Sequence, residues 1–204
     1  MNVRLEYPIG FYAGVYYKDQ FFFNKFNVVL QLLTGSEDVE EQNIALDRIK
    51  YLVKEQIEHS VFVHQREKAL IKKLEAVGMQ VIALPEDPVD QIIGMALFYK
   101  LNAIVEDRMA ILQTRISSEV GENMTYLHCE DEASGPFENK GWWDFSDPNF
   151  GKFKTTGKVV ELTKHITWDD LGLGWFEDDT EGIKEFNIET PTANTVVPFT
   201  KPEK

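Results

Sequence analysis

The chain has 204 residues, 43% of them hydrophobic and 12% aromatic, with a net charge of −13 and one cysteine, Cys129. That composition excludes a disordered chain and an internal disulfide framework. No apolar run approaches the roughly 18 residues that a bilayer-spanning helix needs. The acidity is uneven, because residues 130–204 carry 16 acids against 8 bases and no arginine. Such a surface repels the phosphates of nucleic acid and of anionic lipid. MNVRLEYPIG has no basic stretch followed by an apolar one, so no secretory signal is read and a reducing, cytoplasmic setting is expected.

Residues 3–18 carry Val3, Leu5 and Tyr7 and then GFYAGVYY, an aromatic strand-like composition interrupted by Gly10 and Gly14. It reads as one bent strand or two short ones. Phe21, Phe22 and Phe23 follow, and the apolar run 26–33 reads as a buried strand. So dense an aromatic cluster is expected in the core, with an exposed patch for a partner as the alternative. Asp38 with Glu41 three residues on has the form of a capping box. Behind it Ala45, Ile49, Leu52, Val53 and Ile57 recur at helical spacing, which predicts an amphipathic helix over 38–58.

SVFVHQ predicts a short strand at 60–65. In REKALIKKLEAVG, Leu70, Leu74 and Val77 share one face and Lys68, Lys72 and Lys73 another, predicting a helix over 66–77 closed by Gly78. MQVIALP predicts a strand at 79–85, so strand, helix and strand form a right-handed crossover between parallel strands. Asp87 as N-cap, Pro88 at the first helical position and Asp90 in the first turn predict a helix over 88–106. Glu86, Asp87 and Asp90 also admit a metal or acid–base reading, but the helix start accounts for them. The helix surface of Ile92, Ile93, Ala96, Leu97, Leu101, Ile104 and Val105, widened by Met95 and Phe98, is broad enough for burial on most sides, by the domain or by a second copy. Asn102 is its polar exception, either hydrogen-bonded inside or facing water. Glu106, Asp107 and Arg108 form a charge cluster at its end.

Residues 108–117 and 123–130 alternate as two antiparallel strands around a turn at Glu119–Glu122. From 131 onward the sequence becomes glycine-rich, aromatic and acidic, with a strand at 158–163 and a tail. It reads as an arm that packs on the domain or on a neighbouring subunit.

The chemistry-bearing signals are sparse. The sequence has no CxxC, HxxxH or HExxH spacing, no GxSxG and no Walker-type lysine. His128 and Cys129 point to opposite faces of a strand and cannot share a metal without a bend. His128 with Glu130, joined in space by His64 or His165, is the one constellation that could form a metal or hydrolytic site. Cys129 lacks the helix N-terminus or basic neighbours that activate a thiol, and Gly172 and Gly174 form a GxG with no helix behind it. No catalytic, metal-binding or cofactor-binding residue is therefore assigned. Trp142, Trp143, Trp168, Trp175 and Phe176 are anchors of the kind that dominate protein interfaces, set against the chain's own domain or a partner.

Through the runs LPEDPVDQIIG and KLNAIVEDRMAI, the stretch from Asn43 to Asp131 resembles uncharacterised proteins of large T4-like tailed phages. The resemblance covers under half the chain and contains no functional motif. It implies a viral origin and no activity, and it raises the idea of an inhibitor of a host nucleic-acid enzyme.

The expectation is an α+β (or α/β) mixed-sheet domain over 1–130 with about three helices, followed by an irregular acidic and aromatic arm over 131–204. Its leading function is non-enzymatic interaction or assembly, through self-association or a protein partner, without cofactor, direct nucleic-acid binding or membrane. A small hydrolase or metal-dependent enzyme using His128 and nearby acids is the alternative, and an acidic nucleic-acid mimic the second.

Overall fold

The computed structural model describes residues 4–150 and 166–175. The chain opens with a long hairpin in which β1 (Arg4–Tyr17) and β2 (Gln20–Thr34) pair antiparallel from end to end. Lys18 and Asp19 alone connect them, at φ 48° and 59°, the left-handed pair of a two-residue type I′ turn. This corrects the expectation of a separate strand at 26–33, which is the second half of β2. The glycines do not break β1. A Cβ on Gly14 would lie 3.2 Å from Val61, and the Gly14 amide donates to the Ser60 carbonyl at 2.8 Å, so glycine serves close approach of the next strand. Alternation places Ile9, Phe11, Ala13 and Val15 of β1 with Phe26, Val28, Leu30 and Leu32 of β2 on one buried face.

Helix α1 (Val39–Tyr51) follows, capped by Asp38, whose carboxylate accepts from the Glu40 amide at 2.8 Å. The reciprocal half of the expected capping box is not made, because Glu41 turns to Arg108 at 3.3 Å instead. At Leu52–Ile57 the helix widens into a π turn. The wider turn gathers Leu52, Val53 and Ile57, all fully buried, onto one face. Strand β3 (Val61–His64), helix α2 (Lys68–Ala76) and strand β4 (Val81–Leu84) form the predicted parallel unit, with Gly78 at φ +82° closing α2. Helix α3 (Asp90–Val105) starts two residues later than Pro88 suggested, with Val89 as its cap residue. Asp87 is drawn away to Arg66, at 2.8 Å, and is not available to cap. Strands β5 (Met109–Ser118) and β6 (Tyr126–Cys129) complete a mixed sheet of order β4-β3-β1-β2-β5-β6.

The fold is therefore α+β, with six strands and three helices among the described residues. Phe11 stacks on Phe26 at 5.0 Å, and Phe62 meets Phe26 edge-on at 6.1 Å, in the core beneath α1 and α3. Six successive residues of α3, Ile93 to Phe98, are buried, as expected of a helix covered on most sides. The sheet lies on one side of it, and Phe137, Trp143 and Phe150 join the same core from the arm. The chain's own arm, not a second copy, supplies that cover.

Asn102 serves the sheet. The β2–β5 register slips between Gln31 and Leu32, leaving Leu112 as the extra residue of a bulge. The Asn102 carboxamide accepts from the Ile111 amide at 2.9 Å and donates to the Ile111 carbonyl at 3.1 Å, supplying both bonds at that residue. We predict that Asn102→Leu, close in size but unable to make either bond, lowers unfolding free energy by about 2 kcal/mol in urea. A loss under about 0.5 kcal/mol would show that these bonds do not support the bulge.

Candidate functional site

Two cations buried beneath the arm account for its path. Lys100, on α3, is fully buried. Its ammonium donates to the carbonyls of Phe145 and Asp147 at 2.7 Å each and of Trp142 at 3.3 Å. Three donors meet three acceptors, which satisfies an ammonium completely. Burial nevertheless pulls its pKa from 10.5 to about 8, against the opposing pull of the Asp147 carboxylate.

Arg48, on α1, is 2% exposed and grips the second part of the arm. Its Nε donates to the Leu173 carbonyl at 2.8 Å, and its Nη1 to the Ile104 carbonyl at 3.0 Å, one of the otherwise orphaned carbonyls at the end of α3. The guanidinium carbon lies 3.7 Å from the Trp175 ring centre and 4.7 Å from that of Trp168, a cation–π sandwich. Desolvation lowers its pKa to about 10, and the Glu106 carboxylate 3.6 Å away opposes that fall.

The tryptophans singled out in the sequence are thus engaged with their own domain. Trp143 and Trp168 are buried. Trp142 donates its indole N–H to the Ala83 carbonyl at 2.8 Å, on the outer edge of β4, which blunts that edge against stray strand pairing. Trp168 donates to the Ser146 carbonyl and Trp175 to the Glu106 carboxylate. Phe176, His165 and the predicted strand at 158–163 lie outside the described residues.

The histidine constellation takes a different form from the expected one. His128 is buried, but its ring pairs with Glu132 at 3.1 Å and with the Tyr99 hydroxyl at 3.3 Å, not with Glu130, which is exposed. A step of four residues carries the chain through the turn after β6 and back over the ring, whereas Glu130 leaves the strand before that turn. His64 sits elsewhere, its Nδ1 accepting the Arg66 amide at 3.0 Å. Cys129 is half-buried, 3.8 Å from the Gln113 amide nitrogen. Among the described residues no three His, Cys, Asp or Glu side chains are grouped to hold a metal ion. Glu86, Asp87 and Asp90 separate as well. Asp87 pairs with Arg66, while Asp90 meets Ser118, burial raising its pKa against that hydrogen bonding. Glu106, Asp107 and Arg108 form a helix-end cluster in which Glu106 and Asp107 adopt left-handed φ of 47° and 65°. Gly172, at φ +67°, serves a turn of the arm.

The exposed feature is the outer face of the hairpin. Phe23 is 71% exposed, Phe21 53% and Tyr12 43%. Tyr12 stacks with Phe23 at 6.3 Å and Tyr16 leans on Phe21 at 5.0 Å. Reading the aromatic cluster as core holds for Phe11 and Phe26 and fails for Phe21 and Phe23. Strand alternation turns these two outward, and Phe22 between them inward. On this face Arg115 pairs with Glu6 at 2.7 Å, and the Lys25 ammonium lies 5.9 Å from the Tyr12 ring centre. No helix among the described residues is long and apolar enough to cross a membrane.

No family model matches the chain, and no curated protein does. Among solved structures, an uncharacterised protein of Wolinella succinogenes is similar with a TM-score of 0.48 at 9% identity, over 64% of this chain and 99% of that one. The 6-pyruvoyltetrahydropterin synthase of Plasmodium vivax is similar with a TM-score of 0.42 at 9% identity, over 63% of this chain and 97% of that one.

The buried lysine sets a pH signature. Its folded pKa of about 8 lies below the ordinary 10.5, so the unfolded chain binds more protons across that window and stability rises with pH through it. We predict that Lys100→Met, which takes the ammonium donor from three carbonyls, costs about 3 kcal/mol in urea unfolding near neutral pH. The gap to the unsubstituted protein should widen between about pH 8 and about pH 10. A gap independent of pH would show that the ammonium is not perturbed by burial.

Proposed function

We propose that the protein is a non-enzymatic assembly module that docks a second copy of itself through the outer face of the β1–β2 hairpin. The observation that carries this reading is the exposed cluster of Tyr12, Phe21 and Phe23, the last at 71% exposure, with the half-buried Tyr16 leaning on Phe21. Large aromatic side chains in water on a flat sheet face are the anchors from which interfaces are built. The arm tryptophans, by contrast, are spent on their own domain.

Charge favours a second copy as the occupant. Two bodies at −13 each repel, so they approach best where acids are few, and on this face of β1, β2 and β5 Glu6 stands against Arg4, Lys25 and Arg115. On this face Glu6 and Arg115 neutralise each other, and Lys18 and Asp19 sit side by side at the hairpin turn. A face carrying both signs can meet itself across a two-fold axis, where each residue faces its counterpart's neighbours.

Light scattering on the full chain tests this. The expected mass is that of two copies, falling to one copy in Phe23→Asp, whose exposed position keeps the stability change within about 0.5 kcal/mol. A single-chain mass at every concentration measured, or an assembly that Phe23→Asp leaves intact, would overturn the proposal.

A further inference from the structure

We infer that the cleft at the carboxyl ends of β1, β3 and β4 binds a small uncharged polyhydroxylated ring, of the monosaccharide class. These three strands run parallel and side by side, and loops leaving the carboxyl ends of parallel strands are where open sheets gather ligand contacts. Here they enclose an open cleft of about 220 Å³ lined by Tyr16, Tyr17, Lys18, Asp19, His64, Arg66, Glu67 and Asp87. That volume takes one sugar ring and not a chain of them.

The charge pairing inside the cleft selects the ligand. Arg66 lies between Asp87 at 2.8 Å and Glu67 at 3.3 Å. The Tyr16 hydroxyl donates to Asp19 at 3.1 Å, and the Lys18 ammonium lies 4.9 Å from the Tyr17 ring centre. An anion would have to displace a carboxylate from Arg66, and a cation would compete with Arg66 and Lys18 for the same acids. An uncharged ligand disturbs none of these pairs. It also finds the hydrogen-bonding capacity it needs. His64 accepts the Arg66 amide on Nδ1, so its neutral ring carries the proton on Nε2 as a donor. Each carboxylate keeps lone pairs free for hydroxyl donors. The Tyr16 ring offers a flat apolar face of the kind that covers the C–H face of a pyranose.

The cleft borders the proposed self-docking face and shares Tyr16, Lys18 and Asp19 with it, but Phe23 does not line it. In the row Phe21–Tyr16–Val63, Phe21 lies on the β2 side of Tyr16, and His64, Arg66 and Asp87 belong to the β3 and β4 side. Binding therefore should survive in the Phe23→Asp variant whatever its mass.

Amide-resolved NMR titration of the full chain, and of Phe23→Asp, provides the test. The probes are the neutral methyl glycosides of glucose, galactose and mannose, with inorganic phosphate and tetramethylammonium for comparison. At least one glycoside is expected to give saturable shifts confined to residues 16–19, 64–67 and 86–87. Tyr16→Ala and His64→Gln should each weaken that binding by about tenfold. The inference is overturned if none of the glycosides shifts these amides, if phosphate or tetramethylammonium shifts them more, or if neither substitution weakens binding.

Discussion

Two buried cations organise this molecule. Lys100 and Arg48 project from α3 and α1 into places where no water reaches them, and the chain satisfies them with backbone carbonyls of its own C-terminal arm. A desolvated cation is expensive, and removing its partners costs far more than the net worth of the contact. The arm is therefore held in place: departure would break the hydrogen bonds that its carbonyls make to both cations and bare the apolar side chains it covers. The same contacts lay Phe137, Trp143 and Phe150 over α3 and Trp168 beside Tyr51. The described parts of the acidic, aromatic C-terminal region, 131–150 and 166–175, in this way contribute to the core.

That arrangement settles which surfaces stay open. On the helix side, α1, α3 and the arm cover the sheet, and Trp142 closes one backbone group on the outer edge of β4. On the other side, alternation along β1 and β2 presents Tyr12, Phe21 and Phe23 to solvent, with Tyr16 half-buried beside them. The hairpin also carries Tyr16 to the point where the parallel strands β3 and β4 deliver His64, Arg66 and Asp87. Both proposed sites thus descend from one feature, a hairpin whose two strands are more than three times as long as β3 and β4.

Much of the fold was legible in local patterns. Helical spacing behind Asp38 located α1, Gly78 located the end of α2, and the apolar breadth of α3 announced burial on most sides. Two features were hidden. The hairpin turn is Lys18–Asp19, without the Asn-Gly or Asp-Gly pair that marks a type I′ turn, so β1 and β2 did not read as one unit. The direction of each phenylalanine in the 21–23 run depends on the register fixed by that turn. The candidate sites were harder still, because they join residues distant in sequence. Arg48 meets Leu173 across 125 positions, and nothing in a helical lysine or arginine announces that it will be buried under a loop. Asn102 was visible as an exception, but its partner Ile111 follows from a bulge that the β5 sequence does not display.

The central claim is that the described arm belongs to the cooperative core through Lys100 and Arg48. Native-state hydrogen exchange measures this directly, by comparing the Leu171 and Leu173 amides, which bond to the Trp168 carbonyl, with those in the middle of α3. Both sets are expected to exchange through the same global opening, with equal free energies and equal urea dependence. Arm amides that exchange through a separate, low-energy opening while α3 stays protected would contradict it.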